Sequence, residues 1–123
     1  MSTESAGVAA VSSLPAGPAE RQRLLSELRR MEPDLRRRGV RRLRLFGSVA
    51  RGEAGPASDV DLLAEIDRTR VADFSLLDLI AIQHRIGDQV GRPVQILTAP
   101  DKLSPRLRVA IEADAIEVFA ADA

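Results

Sequence analysis

The chain has 123 residues, enough for one domain with a real core and too few for a second. Its 18 basic and 18 acidic residues cancel, so no net field draws it to nucleic acid or a membrane surface, and direct nucleic-acid binding is not expected. Three aromatics (Phe46, Phe74, Phe119) provide no stacking platform for single strands, and the absence of cysteine excludes disulfides and thiolate metal sites.

A cysteine-free chain with no basic stretch ahead of an apolar N-terminal run, and no apolar run near the roughly 20 residues that span a bilayer, is expected in the cytoplasm. Residues 1–18 are rich in Ser, Ala, Gly and Pro without sustained periodicity, which predicts a disordered leader ahead of a single domain over 19–123. From 19 to 38, Leu24, Leu28, Met31 and Leu35 recur at helical spacing, and Pro33 predicts a break near Met31 and Glu32. Arg29, Arg30, Arg36, Arg37 and Arg38 fall on the outer surface, as a solvated face or as a phosphate or partner contact.

Gly39 reads as the helix stop and 40–46 as a first strand, with Leu43 and Leu45 on one face and Arg42 and Arg44 on the other. Gly52, Gly55 and Pro56 mark a loop, and a second strand starts at Ser58 and Asp59. Residues 74–90 predict a helix with Leu76, Leu79, Ile80, Ile86 and Val90 inward. Leu77, Ala81 and Ile82 widen that arc, which serves either for packing on both sheet and first helix or as a partner surface. His84, the single histidine, lies on this helix and reads as structural. After Gly91-Arg92-Pro93, 94–97 forms a third strand. Ser104 and Pro105 open a last helix with Leu107, Ala110 and Ile111 inward, and 116–119 forms a fourth strand. The pattern predicts an α/β (α+β) fold, a small mixed sheet of about four strands with helices packed on it.

Chemistry concentrates between the first two strands. An apolar run ends in Gly47-Ser48, ten residues follow, and Asp59-Val60-Asp61 then enters a second apolar run. Strand alternation puts Asp59 and Asp61 on one face, about 6.6 Å apart along the strand, and Val60, Leu62, Ala64 and Ile66 on the other. Paired carboxylates repel unless a cation lies between them, and Mg²⁺, which takes oxygen ligands and leaves positions open for phosphates, is the usual partner. Gly47 permits close backbone approach, Ser48 offers a hydroxyl and the free N–H groups of a helix start, and Arg51 can add a charge-assisted phosphate contact. The competing reading is a turn followed by acids on a solvated strand face.

Gly47-Ser48, the ten-residue gap and Asp59-x-Asp61 resemble the signature of the DNA polymerase beta-like nucleotidyltransferase superfamily. The short chain is most similar to the minimal nucleotidyltransferases (MNT) of prokaryotes, antitoxins paired with HEPN-domain ribonuclease toxins. The likeness spans about 24–119. It implies a nucleotidyltransferase-like fold, Asp59 and Asp61 as Mg²⁺ ligands, and Ser48 as catalytic with the aspartates. It implies Gly47, Ser48 and Arg51 as the holders of a nucleoside triphosphate. The implied reaction is Mg²⁺-dependent transfer of AMP from ATP to a tyrosine of a HEPN toxin. One position departs from the pattern. Where the family usually has a third acid on a later strand, alternation puts Gln95, which can ligate a metal but cannot act as a base. Glu65, on the acidic face two residues beyond Leu63, is a possible substitute. The alternative is a catalytically impaired protein that neutralises its partner by binding alone.

Overall fold

The computed structural model describes residues 17–53, 55, 58–98 and 103–120. The elements in chain order are α1 (Gly17–Arg30), α2 (Glu32–Arg37), β1 (Val40–Phe46), the single turn α3 (Gly47–Ala50), β2 (Val60–Ile66), α4 (Leu76–Val90), β3 (Val94–Leu97), α5 (Pro105–Asp114) and β4 (Ile116–Ala120). The sheet runs β3-β2-β1-β4; β2 and β3 are parallel and the other two pairs antiparallel, the expected mixed sheet.

The break at Met31 falls where Pro33, in the first turn of α2, cannot donate back into α1. The expected leader lies outside the described residues except for Gly17 and Pro18, which belong to α1 rather than to a leader. One face of the sheet is apolar. Leu43, Leu45, Val60, Leu62, Ala64 and Ile96 pack there with Leu24, Leu25 and Leu28 of α1, Leu35 of α2, and Ile82, Ile86 and Val90 of α4.

The α4 helix starts on a reciprocal cap between Ser75 and Asp78 and stops at Gly91, whose φ of 73° suits a residue without Cβ. Its inward arc is narrower than the apolar pattern predicts. Leu76 and Leu77 are 69 % and 77 % exposed and Ile80 is exposed too, while Ile82, Ile86 and Val90 are buried and Leu79 packs partly buried against the core. The reason is angular: at about 100° per residue Leu79, Ile82, Ile86 and Val90 fall within about 80° of one another and face the core, whereas Leu76, Leu77 and Ile80 lie about 60–160° round the helix from Leu79. On α5 only Ile111 is buried; Leu107 and Ala110, expected inward, face solvent. Among the described residues, no helix is long and apolar enough to cross a membrane.

The second face carries charge. Arg42 donates two 2.9 Å hydrogen bonds to the Glu117 carboxylate on β4, and Arg44, buried, reaches Glu112 of α5 at 2.9 Å. Arg44 thus ties to the sheet a helix, α5, of which only Ile111 is buried.

Candidate active site

The register of the sheet assembles the site. Phe46 at the end of β1 pairs with Asp61 on β2, and Asp61 pairs with Gln95 on β3, so three neighbouring strands present these residues in a row. The backbone turns sharply after Phe46, with Gly47 at φ 80°. A Cβ at this position would lie 2.5 Å from Asp61 Oδ2, closer than real Cβ atoms come, and in tight contact with its Cγ at 3.2 Å. Gly47 is therefore required twice, by its backbone angle and by the carboxylate that rests against it.

Asp61 is half-buried, and its carboxyl is pushed above the ordinary range, first by burial and then by the negative charge of Asp59; Arg51 acts the other way. The two acids thus sense each other across Val60, as strand alternation predicts. Asp59 is exposed and stands one residue before β2, which begins at Val60 rather than at Ser58. Paired oxygen donors, one of them half-buried and short of positive charge, fit a hard divalent cation. Among the described residues, no group of three or more His, Cys, Asp or Glu side chains converges as a metal cage, so substrate oxygens or water would fill the remaining positions around such an ion.

Ser48 is half-buried in the first turn of α3, directly after the glycine. Arg51 caps the end of α3, but its guanidinium is already engaged: Nε donates to Glu53 at 3.0 Å and Nη1 to Asp114 of α5 at 2.8 Å. A phosphate contact from Arg51 therefore requires it to leave one of these acids.

Glu65 does not serve as a third acid. Its carboxylate is 3.3 Å from Arg42, 3.8 Å from Arg44 and 3.9 Å from Arg41, and it sits four residues, about 13 Å, along the strand from Asp61. Gln95, exposed and in register with Asp61, holds the position at which a third carboxylate would complete the row. His84 lies exposed on α4.

Residues 22–118 match the family described as the nucleotidyltransferase domain. The chain belongs to the nucleotidyltransferase domain family. A candidate protein adenylyltransferase of Methanocaldococcus jannaschii is 34 % identical over 91 residues, covering 74 % of this chain and 92 % of the relative. The solved structure of a candidate minimal nucleotidyltransferase superposes with a TM-score of 0.66 at 32 % identity, covering 85 % of this chain and 97 % of the other. A third likeness is of fold alone: a structure of a tri-AMPylated Shewanella oneidensis HEPN toxin in complex with an MNT antitoxin. There the TM-score is 0.55 at 13 % identity, over 80 % of this chain and 73 % of that one. This nucleotidyltransferase fold is the expected one, built on the expected four strands.

Two buried polar residues escaped the sequence reading, Glu20 and Arg92. A signal for Glu20 was present: it stands four residues before Leu24 on the apolar stripe, where a carboxylate needs a buried partner. Arg92, in a Gly-Arg-Pro turn, carried no periodic signal.

Two outcomes follow for the protein without metal. Gly47→Ala forces a non-glycine residue to positive φ against Asp61, with an expected loss of about 1–3 kcal/mol in thermal or urea unfolding with chelator present. The raised carboxyl of Asp61 means that the folded state holds its proton more tightly than the unfolded state, so ionised Asp61 costs stability as pH rises through the carboxylate range. Asp61→Asn should therefore raise the melting temperature at pH 7, with the gain shrinking as pH falls toward about 4. Melting curves across that interval, with chelator present, check the sign.

Proposed function

We propose that this nucleotidyltransferase transfers AMP from ATP to a tyrosine hydroxyl of a HEPN-domain toxin and so acts as an antitoxin in the cytoplasm. The observation that carries the reading is the pair Asp59 and Asp61, one of them pressed against a glycine that can bear no side chain. The curated adenylyltransferase relative supports AMP as the transferred group, and the fold shared with the toxin–antitoxin structure supports a HEPN partner.

In this reading Asp59 and Asp61 hold Mg²⁺, which when bound neutralises phosphate charge and leaves ATP oriented for attack. Ser48 and the backbone at Gly47 hold the triphosphate against the end of β1. Arg51 exchanges Glu53 or Asp114 for a phosphate oxygen, a trade of one exposed ion pair for another that costs little. The acceptor oxygen attacks the α phosphorus in line, its bond to phosphorus forms as the bond to the bridging oxygen breaks, and pyrophosphate leaves. Gln95 is able to donate or accept a hydrogen bond at the acceptor but not to take its proton, so the step relies on solvent or on the acceptor's own surroundings for the base.

That same glutamine favours a second reading, in which the fold and nucleotide binding persist while the partner is neutralised by occlusion against the exposed Leu76, Leu77 and Ile80.

Incubation with the HEPN toxin and α-labelled ATP separates the two. Transfer of label that disappears in Asp59→Asn supports the enzyme. No transfer to an active toxin, together with neutralisation that survives Asp59→Asn but fails in Leu76→Asp/Leu77→Asp, supports occlusion. Gln95→Asp is expected to raise the transfer rate at least about 10-fold if general base catalysis is what the native chain lacks, with the roughly 10²–10⁴ that a well-placed base contributes as the ceiling.

A further inference from the structure

The turn between α4 and β3 contains a buried arginine whose contacts lead to the acid pair. Arg92 is 7 % exposed, and its guanidinium spans three parts of the chain. One terminal nitrogen donates to the Glu20 carboxylate on α1. The other donates to the carbonyl oxygens of Gly55, at 2.8 Å, and Ser58. Glu20 is itself 5 % exposed and is gripped from its other side by Arg23, whose Nε and Nη2 each donate to it at 2.9 Å.

Burying an ion pair is a poor route to stability, because desolvation offsets most of the attraction and an apolar pair of similar size does as well or better. Arg92 also leaves its Nε buried without a partner, a further cost. What the pair does achieve is a fixed backbone. Gly55 and Ser58 are tied to each other, Ser58 N–H donating to the Gly55 carbonyl at 3.2 Å and Gly55 N–H donating to Ser58 Oγ at 3.1 Å. The residue after Ser58 is Asp59. The residue after Asp59 is Val60, whose N–H donates at 2.9 Å to the carbonyl of Pro93, the neighbour of Arg92. Asp59 itself precedes the strand, so its place is set by what holds Ser58 and Val60, and both are held from the Arg92-Pro93 turn.

We propose that Arg92, oriented by Glu20, is a positioning residue for Asp59: it fastens the backbone at Gly55 and Ser58 so that the Asp59 carboxylate stands at a fixed place beside Asp61 for the metal–nucleotide complex. The inference rests on the reading of Asp59 and Asp61 as metal ligands. Arg92 acts only through two backbone carbonyls, and a lysine, with a single compact ammonium in place of the planar fork, cannot reach both carbonyls and Glu20 together.

The test uses the full chain and two variants. Arg92→Lys keeps the charge and loses the fork. Glu20→Leu/Arg92→Met removes the buried pair as a unit and leaves only the solvent-accessible Arg23 without its partner, so a folded protein is expected should the lysine variant not fold. Mn²⁺ binding is followed by electron paramagnetic resonance with a non-hydrolysable ATP analogue present, and backbone hydrogen exchange is followed without metal. Both variants are expected to melt cooperatively, bind Mn²⁺ about 10–100-fold more weakly, as loss of an outer-sphere partner does, and exchange the Val60 amide faster than wild type. The core variant Ile86→Val, which loosens packing without touching the turn, is expected to bind Mn²⁺ as wild type does. A folded double variant with wild-type Mn²⁺ affinity overturns the inference, as does an equal weakening in Ile86→Val. Wild-type protein that binds no Mn²⁺ refutes the metal site itself and the inference with it, whereas normal wild-type binding with unchanged variants removes the positioning role alone.

Discussion

Two like charges stand side by side at the edge of this fold, and the chain accepts the repulsion. Asp61 is half out of water, next to Asp59, with its carboxyl pushed up by burial and by that neighbour. A protein optimised only for stability would place an amide or an alcohol here. Keeping the acid makes sense when a cation arrives to reverse the balance, because binding energy then compensates what folding gave up. Gly47 belongs to the same compromise. Its backbone angle of φ 80° brings the start of α3 against the carboxylate, a closeness no other residue permits.

The rest of the sheet serves that arrangement through a division of its faces. One face is apolar and is covered by α1, α2 and α4. The other carries Arg42, Arg44, Glu65 and Glu117 beside the row that ends in Asp61 and Gln95, so charge on this face is locally compensated everywhere except at the acid pair. Single exposed ion pairs of this kind add little stability each. Among the described residues they hold Glu65, Glu112 and Glu117 against arginines, whereas Asp59 and Asp61 take part in no salt bridge. Arg51 is the exception, an exposed cation close enough to influence Asp61 yet held by Glu53 and Asp114.

Much of this was legible in the residues. Period-two alternation in 40–46 and 60–66, the proline break at Pro33 and the glycine stops gave element type and order, and the spacing from Gly47 to Asp61 gave the motif. Register explains why Gln95, singled out by alternation alone, falls opposite Asp61. What could not be read depends on lengths and on contacts distant in sequence. Leu76, Leu77 and Ile80 are exposed because the sheet covers only the sector of the helix that holds Leu79, Ile82, Ile86 and Val90, and an apolar arc this broad does not say which part of it will be covered. The fate of Glu65 was decided by arginines on a paired strand, and the link from Glu20 to Arg92 crosses 72 positions. Pair interactions of this reach leave no local pattern.

The proposed transfer chemistry depends on one cation being shared by two carboxylates next to a glycine bend. Anomalous diffraction from crystals soaked with Mn²⁺ and a non-hydrolysable ATP analogue tests that most directly. The account predicts a manganese peak within coordination distance, about 2.0–2.3 Å, of oxygens from both Asp59 and Asp61, with analogue phosphate completing its shell. A nucleotide bound with its metal ligated elsewhere, or by neither aspartate, would contradict it.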